Sequence, residues 1–337
     1  MKRQGGLFER VVAFDNLLLA ARKAARGKRD KAPVARFEFH LEPALLRLQD
    51  ELIAGRYRPG SYVSFEVRDP KRRKICAAPY RDRVLHHAIC NVLEPVLECR
   101  QIFDSYACRP GKGSHAAIAR AQQYARCYRY FVKCDVRKFF DSVNHAMLKA
   151  LLARVLKDRP LLALLNKIID HSPPDAAPGR GLPIGNLTSQ HFANLYLGEL
   201  DHTVKDRWRV KGYLRYMDDI LFFADDKPSL HNLLVDTRQF LRDTLHLTLK
   251  EEATLLAPVA EGIPFLGFRI YPGMLRLNPR TLRRFRRQVR ICEKAYQAGD
   301  LSMAELSNSV ASLFAHVSHA DSLQLRRQVV KVSRDLG

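Results

Sequence analysis

The chain has 337 residues, of which 47% are hydrophobic and 27% charged, and its formal net charge is +22. This composition is typical of a globular protein with about two domains, and no apolar run approaches the roughly 20 residues of a membrane-spanning helix. The excess of positive charge favours a polyanionic partner, most often a nucleic acid. The seven cysteines never form a Cys-x-x-Cys pair, which favours reduced intracellular thiols over disulfides or a structural zinc site.

A basic hairpin is predicted within Tyr62–Arg83. Alternating residues at 62–67 indicate a strand, Asp69-Pro70 a turn, and Lys74–Ala77 a returning strand. Such a hairpin is suited to holding phosphate groups, while a solvated basic loop is the alternative. The cations at its tip are Lys71, Arg72, Arg73 and Lys74.

A second basic turn lies in SYACRPGKGSHAAIARAQQYA, residues 105–125. Arg109 and Lys112 stand among small residues just before a helix that we expect to start near Ser114. Free amides at a helix N-terminus favour phosphate. The spacing differs from that of a nucleotide-binding P-loop, so we do not interpret the segment as one.

Three aspartates stand at predicted strand ends. In YRYFVKCDVRKFFDSVNH, a strand over Tyr130–Val136 ends near Asp135; in GYLRYMDDILFFADD, two apolar runs flank Asp218 and Asp219. The second pattern predicts a β-hairpin with both acids at its turn. Adjacent acids repel each other and favour a divalent metal, although Asp is also a common turn residue without one.

The spacing of these acids predicts a two-metal site. Asp135 and Asp218 are 83 residues apart with a helix between their strands, so the two strands can lie side by side. Carboxylates gathered at one sheet edge hold two cations about 3.5–4 Å apart, the geometry of in-line displacement at phosphorus. Together with the basic segments, this arrangement predicts nucleotidyl transfer on nucleic acid.

Other segments predict the surrounding elements. The Pro/Gly-rich region 158–180 is expected to be a surface loop, and 181–201 a turn followed by a long helix capped near Asn186 or Thr188. A helix is expected over Ser229–Leu245 and an aromatic hairpin over 262–272. We place a domain boundary near 273.

An arginine-rich helix follows Leu277 in the sequence PRTLRRFRRQVRIC. Leu282, Phe285, Val289 and Cys292 form its apolar stripe at helical spacing. The other face favours phosphate contact over a merely solvated charged surface. Its arginines are Arg280, Arg283, Arg284, Arg286, Arg287 and Arg290.

Six motifs in this order resemble the reverse transcriptases from about residue 10 to residue 335: PKRRKICAAPYRDR, SYACRPGKGSH, KCDVRKFFDSV, GLPIGNLTSQHFAN, RYMDD and FLGF. The resemblance implies an α+β fold, the right-hand polymerase. It implies N-terminal helices and fingers at 1–125, a palm of antiparallel sheet at 126–272 with a finger insertion around 158–185, and a helical thumb at 273–337.

The resemblance also implies the roles of individual residues at the site. Asp135, Asp218 and Asp219 become the catalytic acids, which bind two Mg²⁺ ions together with the backbone carbonyl of Val136. Arg73 and Lys71 match groups that hold the incoming triphosphate, and Phe140 matches the residue that excludes a ribose 2′-hydroxyl. Ile184 and Gln190 complete this nucleotide-binding set.

A further set of residues is expected to hold the primer and template. The segment Phe265–Phe268 matches a hairpin that grips the primer. Relatives often carry a general-acid lysine at the position of Ala253, and Lys250 is a nearby candidate. The full primer- and template-binding set is Arg109, Lys112, Phe265, Leu266, Gly267, Arg283 and Arg287.

The segment IGNLTSQ, Ile184–Gln190, most resembles the reverse transcriptases of diversity-generating retroelements. That likeness implies cDNA synthesis from a retroelement template RNA, errors opposite adenine, dNTP substrates and a small basic accessory protein. We expect a cytoplasmic enzyme of a prokaryotic cell or phage. The alternatives are a group II intron-like or retron-like reverse transcriptase and an inactive RNA-binding scaffold. The segment 182–190 argues against the first alternative, and the short C-terminus argues against an intron protein with a full maturase or nuclease.

Overall fold

The computed structural model describes residues 2–68, 72–173 and 176–327 of the chain. Within these ranges the backbone forms helices and antiparallel strands, so the predicted α+β class is confirmed. The helices are α1 (Phe8–Val12), α2 (Phe14–Ala25), α3 (Ala32–Phe39), α4 (Leu41–Ile53), α5 (Tyr80–Glu98), α6 (Ser114–Cys127), α7 (Phe139–Ser142), α8 (His145–Val155), α9 (Arg159–Asp170), α10 (Leu187–His202), α11 (Lys227–Asp243), α12 (Pro279–Gln297) and α13 (Met303–Val317). The strands are β1 (Val63–Arg68), β2 (Arg72–Ala77), β3 (Tyr130–Asp135), β4 (Tyr213–Tyr216), β5 (Asp219–Ala224), β6 (Leu255–Pro258), β7 (Ile263–Phe265), β8 (Phe268–Ile270) and β9 (Leu275–Leu277).

A four-stranded antiparallel sheet in the order β4-β5-β3-β6 is the centre of the fold. Its central strands β3 and β5 are rich in branched and aromatic residues, which favour extended backbone. Both are buried along most of their length, because helices and a second small sheet cover the two faces. The residues at the ends of both strands, and Lys133 within β3, are partly exposed.

Successive residues of the central strands enter two different cores, because side chains alternate across a strand. Val132, Cys134 and Phe222 belong to the larger core, which α5 and α10 share with the N-terminal helices. Phe131 and Phe223, which are register partners, belong to the second core with α6, β7 and β8. Residues 133 and 135 therefore lie on the same face as this second core.

Two smaller sheets flank the central one. Strands β1 and β2 form an antiparallel hairpin, and β7, β8 and β9 form a three-stranded sheet that leads into α12. Asn278 caps α12 by accepting a hydrogen bond from the amide of Thr281. Helices α12 and α13 pack through a small cluster that includes Phe285, Val289 and Val317.

Most of the predicted elements are present, but the expectation of a loop over 158–180 is wrong. Helix α9 occupies the first half of that region. Asp158 caps it by accepting from the amide of Leu161, and Pro160 lies in its first turn, where proline lacks only an amide that has no intrahelical partner. The Pro/Gly-rich composition that suggested a loop belongs to the residues after His171 alone.

No disulfide joins any of the seven cysteines, as their spacing predicts. Among the described helices, none is both long enough and apolar enough to cross a membrane.

Buried His86 on α5 makes stability depend on pH. Burial lowers the pKa of His86 to about 4; the positive charges of His87 and His171 lower it further, while Asp82 opposes them. The unfolded chain therefore binds a proton near pH 6.5, whereas the folded chain binds it only near pH 4. The contribution of neutral His86 to the free energy of unfolding is complete above pH 6.5 and is lost as the pH falls. From pH 7 to pH 5 the loss is about 2 kcal/mol.

We expect His86→Leu to remove that part of the pH dependence. Urea unfolding at pH 7 and pH 5 measures the free energy of unfolding of the wild type and the variant. The exposed His231 of α11 supplies the control, since His231→Gln should lose as much stability as the wild type. An equal loss in His86→Leu would show that this imidazole is not the titrating group.

Candidate active site

The antiparallel pairing of β3 with β5 brings the predicted acids together. Asp135, the last residue of β3, is the register partner of Asp219, the first residue of β5. Asp218 precedes it in the two-residue turn that joins β4 to β5. A sequence separation of more than 80 residues is therefore closed by strand pairing, at the sheet edge predicted from the sequence.

The environment of Asp218 disfavours its negative charge. Burial, followed by the negative charge of Asp135, raises the pKa of Asp218 to about 6, and Asp219 contributes in the same direction. The positive charge of Arg73 on β2 opposes the rise. A buried carboxylate with two acidic neighbours is best stabilised by a cation, and carboxylate oxygens are the ligands that Mg²⁺ prefers.

A lysine partly supplies that cation. Lys133 lies two residues before Asp135 on the same face of β3, and its Nζ is 3.0 Å from Oδ1 of Asp219. Across the described ranges, no three His, Cys, Asp or Glu side chains form a preformed metal site. The carboxylates nevertheless fit a divalent ion. Asp135 and Asp218 are both half-buried and repel each other, and a bound cation would neutralise this repulsion.

Backbone hydrogen bonds fix the end of β3. The amide of Lys250 donates to the carbonyl of Asp135 at 2.8 Å, and Val136 forms an antiparallel bridge with Leu249. Val136 is 2% exposed, so the chain is anchored immediately after the acid. The backbone of Lys250, the candidate general acid, therefore lies next to Asp135. Ala253 lies in a short 3₁₀ turn.

The β1–β2 hairpin faces this edge of the sheet. Arg73 is exposed on β2 and acts electrostatically on Asp218, while Lys71 lies outside the described residues. The amide of Cys76 donates to the carbonyl of Ile184 at 2.9 Å, so the hairpin is attached to the loop before α10. Ile184 is half-buried at this junction.

Phe140 and Gln190 are the remaining members of the predicted nucleotide-binding set. Phe140 is half-buried in α7, where its carbonyl accepts from the amide of Leu182 at 2.7 Å. Gln190 is half-buried in the first turn of α10. A cavity of about 360 Å³ is lined by residues that include Lys74, Lys138 and Ile184, and by Asp141 and Leu182 next to Phe140.

Arg109 does not have the exposed position expected of a phosphate contact. Its guanidinium forms a bidentate pair with Glu98, 2.7 Å away at the closest, and donates to the carbonyls of Ile102 and Ser105. Its side chain is only 7% exposed. We therefore correct its assignment: Arg109 supports the loop before α6, because all its contacts are internal.

Lys112 stands near the same loop. Its Nζ donates to the carbonyl of Phe103 and lies 3.4 Å from the centre of that ring, which stabilises the cation. Burial lowers the pKa of Lys112. These contacts hold the side chain against the protein and leave its predicted role in template binding as a prediction.

The predicted primer-gripping segment forms the turn between β7 and β8. Leu266 and Gly267 have positive φ at this turn. Phe265, in contrast, is 1% exposed in the second core, so the prediction that its side chain contacts the primer is corrected: it anchors the turn from below. On α12, Arg283 and Arg287 are exposed on the face opposite the buried Phe285.

Sequence reasoning missed two buried or half-buried cations close to the acids. Arg215 on β4 is fully buried and donates to the carbonyl of Met217, the residue before Asp218. Lys133 pairs with Asp219. The available signal was a cation within an otherwise apolar strand, as in YFVKCD and YLRY, since burying a charge requires a partner.

Comparison with known proteins places this site within a family. The sequence model described as "Reverse transcriptase (RNA-dependent DNA polymerase)" matches residues 67–270, which include β2 to β8 and all three acids. That match covers more than half of the chain.

Individual relatives agree with this match. Protein YkfC of Escherichia coli K12 is 27% identical over 266 residues, covering 66% of this chain and 70% of YkfC. The group II intron-encoded protein LtrA of Lactococcus lactis is 25% identical over 203 residues, covering 57% of this chain and only 33% of LtrA.

Among solved structures, a telomerase from Candida albicans in complex with a fragment of telomeric RNA superimposes with a TM-score of 0.50 at 11% identity, covering 83% of this chain and 58% of that one. This likeness concerns the fold, and it agrees with a right-hand polymerase.

Gly185 permits the contact between the β1–β2 hairpin and the loop before α10. Its φ is +118°, and an added Cβ would lie 2.8 Å from Cγ2 of Ile75. We expect Gly185→Ala to strain this junction by about 2 kcal/mol. Hydrogen exchange at the Cys76 amide should then accelerate about 30-fold, because its bond to Ile184 is weakened.

A matched control separates the clash from the backbone strain. Gly111 also has positive φ, +67°, but has no atom within 4 Å of an added Cβ, so Gly111→Ala should leave the Cys76 amide protected. Adding Ile75→Ala to Gly185→Ala should restore part of the protection. Unchanged exchange in Gly185→Ala would mean that the junction does not depend on this close approach.

Proposed function

The chain belongs to the reverse transcriptase family, and we propose that it copies an RNA template into DNA with Asp135, Asp218 and Asp219 as its catalytic acids. The substrates are an RNA template paired with a growing DNA strand, and dNTPs. The observation that carries this proposal is that Asp135 and Asp219 are register partners in the β3–β5 pairing. The negative charges of both residues raise the pKa of Asp218.

The geometry supports a division of labour among the residues around the acids. Asp135, Asp218 and the carbonyl of Val136 would hold Mg²⁺, which supplies charge neutralisation at the reacting phosphate and a more acidic 3′-hydroxyl. Arg73, on the hairpin facing Asp218, would bind the triphosphate. Phe140 would restrict the space beside the sugar, and Lys250 remains the candidate proton donor to the leaving pyrophosphate.

The three-part organisation forms part of the same proposal. We assign residues 1–125 to N-terminal helices and fingers, 126–272 to the palm, and 273–337 to the thumb. The exposed arginines of α12 would contact the phosphates of the template–primer duplex, because guanidinium groups bind phosphate in a bidentate manner. The net charge of +22 supports a nucleic-acid partner.

Primer extension tests this proposal. We expect purified protein with Mg²⁺, a DNA primer on an RNA template and dNTPs to extend the primer, and Asp218→Asn to lower single-nucleotide incorporation about 10³-fold, since it removes a charge that stabilises the transition state. Asp236→Asn, an exposed acid on α11, should retain wild-type incorporation. Wild-type activity in Asp218→Asn would contradict the assignment, and an inactive wild type that binds template–primer would support a non-catalytic scaffold.

Within the family, we propose the error-prone type of diversity-generating retroelements, with a basic accessory protein as partner. The support is the segment Ile184–Gln190: a branched apolar side chain beside the nascent base pair lacks the hydrogen bonds of an amide, and discrimination depends on such bonds. Ile184 is half-buried where the hairpin meets the loop before α10. A group II intron-like reverse transcriptase is the second candidate, and the similarity to LtrA favours it.

Fidelity measurements separate these two candidates. Error rates opposite each template base are obtained by sequencing the cDNA of the wild type and of Ile184→Gln. The first candidate predicts frequent misincorporation opposite adenine that falls about 10-fold in Ile184→Gln, equivalent to one additional hydrogen bond, and persists in the apolar control Ile184→Leu. Equal adenine error rates in wild type and Ile184→Gln would remove this candidate in favour of the second.

A further inference from the structure

A fully buried arginine lies directly beneath the turn that carries the acids. Arg215 is 0% exposed, and its guanidinium uses all five of its N–H groups. Nε and Nη2 donate to the two carboxylate oxygens of Asp201 at 2.8 and 2.6 Å, and Nη2 also donates to Ser105 Oγ at 3.1 Å. Nη1 donates to Asn194 Oδ1 at 3.2 Å and to the carbonyl of Met217 at 2.9 Å.

The network around this arginine is closed on every side. Asp201 is also 0% exposed, and it accepts a third hydrogen bond, from the hydroxyl of Tyr213 at 2.5 Å. Burial and the charge of Asp201 raise the pKa of Tyr213 well above its usual range, so its hydroxyl stays a donor. Asn194 donates to the carbonyl of Ala107 at 2.7 Å. Helix α10, the loop before α6 and β4 thus converge on one guanidinium.

The backbone of Arg215 is held as firmly as its side chain. Its amide donates to the carbonyl of Asp104 at 2.9 Å, and its own carbonyl accepts from the amide of Tyr106 at 3.0 Å. Strand β4 is a sheet edge, and these bonds extend it with the loop at 104–106. The backbone position from which the Arg215 side chain extends is therefore fixed relative to the central sheet.

The bond to Met217 is the one that reaches the site. Met217 has a φ of +55°, the left-handed region that a side chain disfavours, and it forms the β4–β5 turn with Asp218. Its carbonyl belongs to the peptide group that also contains the Asp218 amide. Holding that carbonyl fixes the peptide plane before Asp218 and stabilises the strained residue.

Alternation along the strands places this support behind the acids. Tyr213 belongs to the larger core, so Arg215, two residues on, lies on the same face. Asp135 and Asp219 lie on the other face, with the register partners Phe131 and Phe223 of the second core. The arginine therefore acts on the turn without occupying the space in which substrates would bind.

We propose that Arg215, paired with Asp201, is a positioning residue: it holds the Met217–Asp218 peptide so that Asp218 and Asp219 face Asp135. The inference rests on the proposed catalytic role of these acids. Arg215 contacts no reacting atom. Its effect is exerted through the geometry of the turn, where a displacement of about 1 Å can lower a rate about 100-fold.

The two obvious single variants do not separate positioning from folding. Arg215→Met leaves the charge of Asp201 buried without its partner, which unfolds many proteins. Arg215→Lys keeps the charge but has a single ammonium group, which cannot replace a planar fork that binds Asp201 and Met217 together. The informative variant is Arg215→Met/Asp201→Asn, which removes both charges and keeps an acceptor for Tyr213, so the fold can persist without the Met217 bond.

We expect the double variant to remain folded by circular dichroism and to bind template–primer with a near wild-type KM, while kcat falls about 100-fold. Hydrogen exchange should accelerate in peptides covering 213–224 and stay unchanged in peptides from α5. Arg81→Met/Glu51→Gln, which removes an ion pair between α5 and α4 in which Nη1 of Arg81 contacts both carboxylate oxygens of Glu51, is the control and should keep both exchange near 213–224 and kcat.

The outcomes distinguish this inference from the proposed function. A folded double variant with wild-type kcat and wild-type exchange at 213–224 would overturn the positioning role, provided that the wild type extends primers and Asp218→Asn does not. A wild type without activity would refute the proposed function instead, and exchange at the turn would still report whether Arg215 holds it. Equal losses of kcat in the double variant and in the Arg81 control would show general loosening and also overturn the inference.

Discussion

Negative charge gathered at the paired ends of β3 and β5 is the constraint on which the site depends. Strand pairing sets Asp135 opposite Asp219 and leaves Asp218 in the adjoining turn, where burial and its acidic neighbours raise its pKa to about 6. A protein keeps such a cluster only when cations compensate it. Lys133 provides one on the same face, and Arg73 approaches from the hairpin.

The scaffold holds these charges rigidly because both faces of the central sheet are covered. Alternate residues of β3 and β5 enter two separate apolar cores. A shift of one residue in register would therefore move Phe131 or Phe223 into a core that is packed around other side chains, and would move the acids to the opposite face of the sheet. The register that brings the acids together is thus set by hydrophobic burial far from them. The buried Arg215–Asp201 pair adds directional support at the turn itself.

The elements that could be predicted from the sequence are those whose pattern is local. The hairpin of β4 and β5, the strand ending at Asp135 and the helix near Ser114 follow from alternation and capping, and the acids follow from their position at strand ends. Helix α9 was missed because prolines and glycines further on dominated the composition, although Asp158 and Pro160 are favourable residues for a helix start.

Side-chain partners were much harder to predict, because they are set by tertiary contacts. Arg109 looked like a phosphate ligand in a flexible basic turn, yet Glu98 from the end of α5 neutralises it. Phe265 looked like part of a gripping surface, yet it fills the second core. Arg215 has its partner Asp201 on a different element, and no spacing rule links the two.

Manganese anomalous diffraction tests the central claim most directly. Crystals of the protein with an RNA template, a chain-terminated DNA primer, the next dNTP and Mn²⁺ would locate the metal independently of activity. The account predicts manganese within about 2.1 Å of carboxylate oxygens of both Asp135 and Asp218, the coordination distance of a hard divalent ion. Manganese bound away from these two residues, with the dNTP in place, would contradict it.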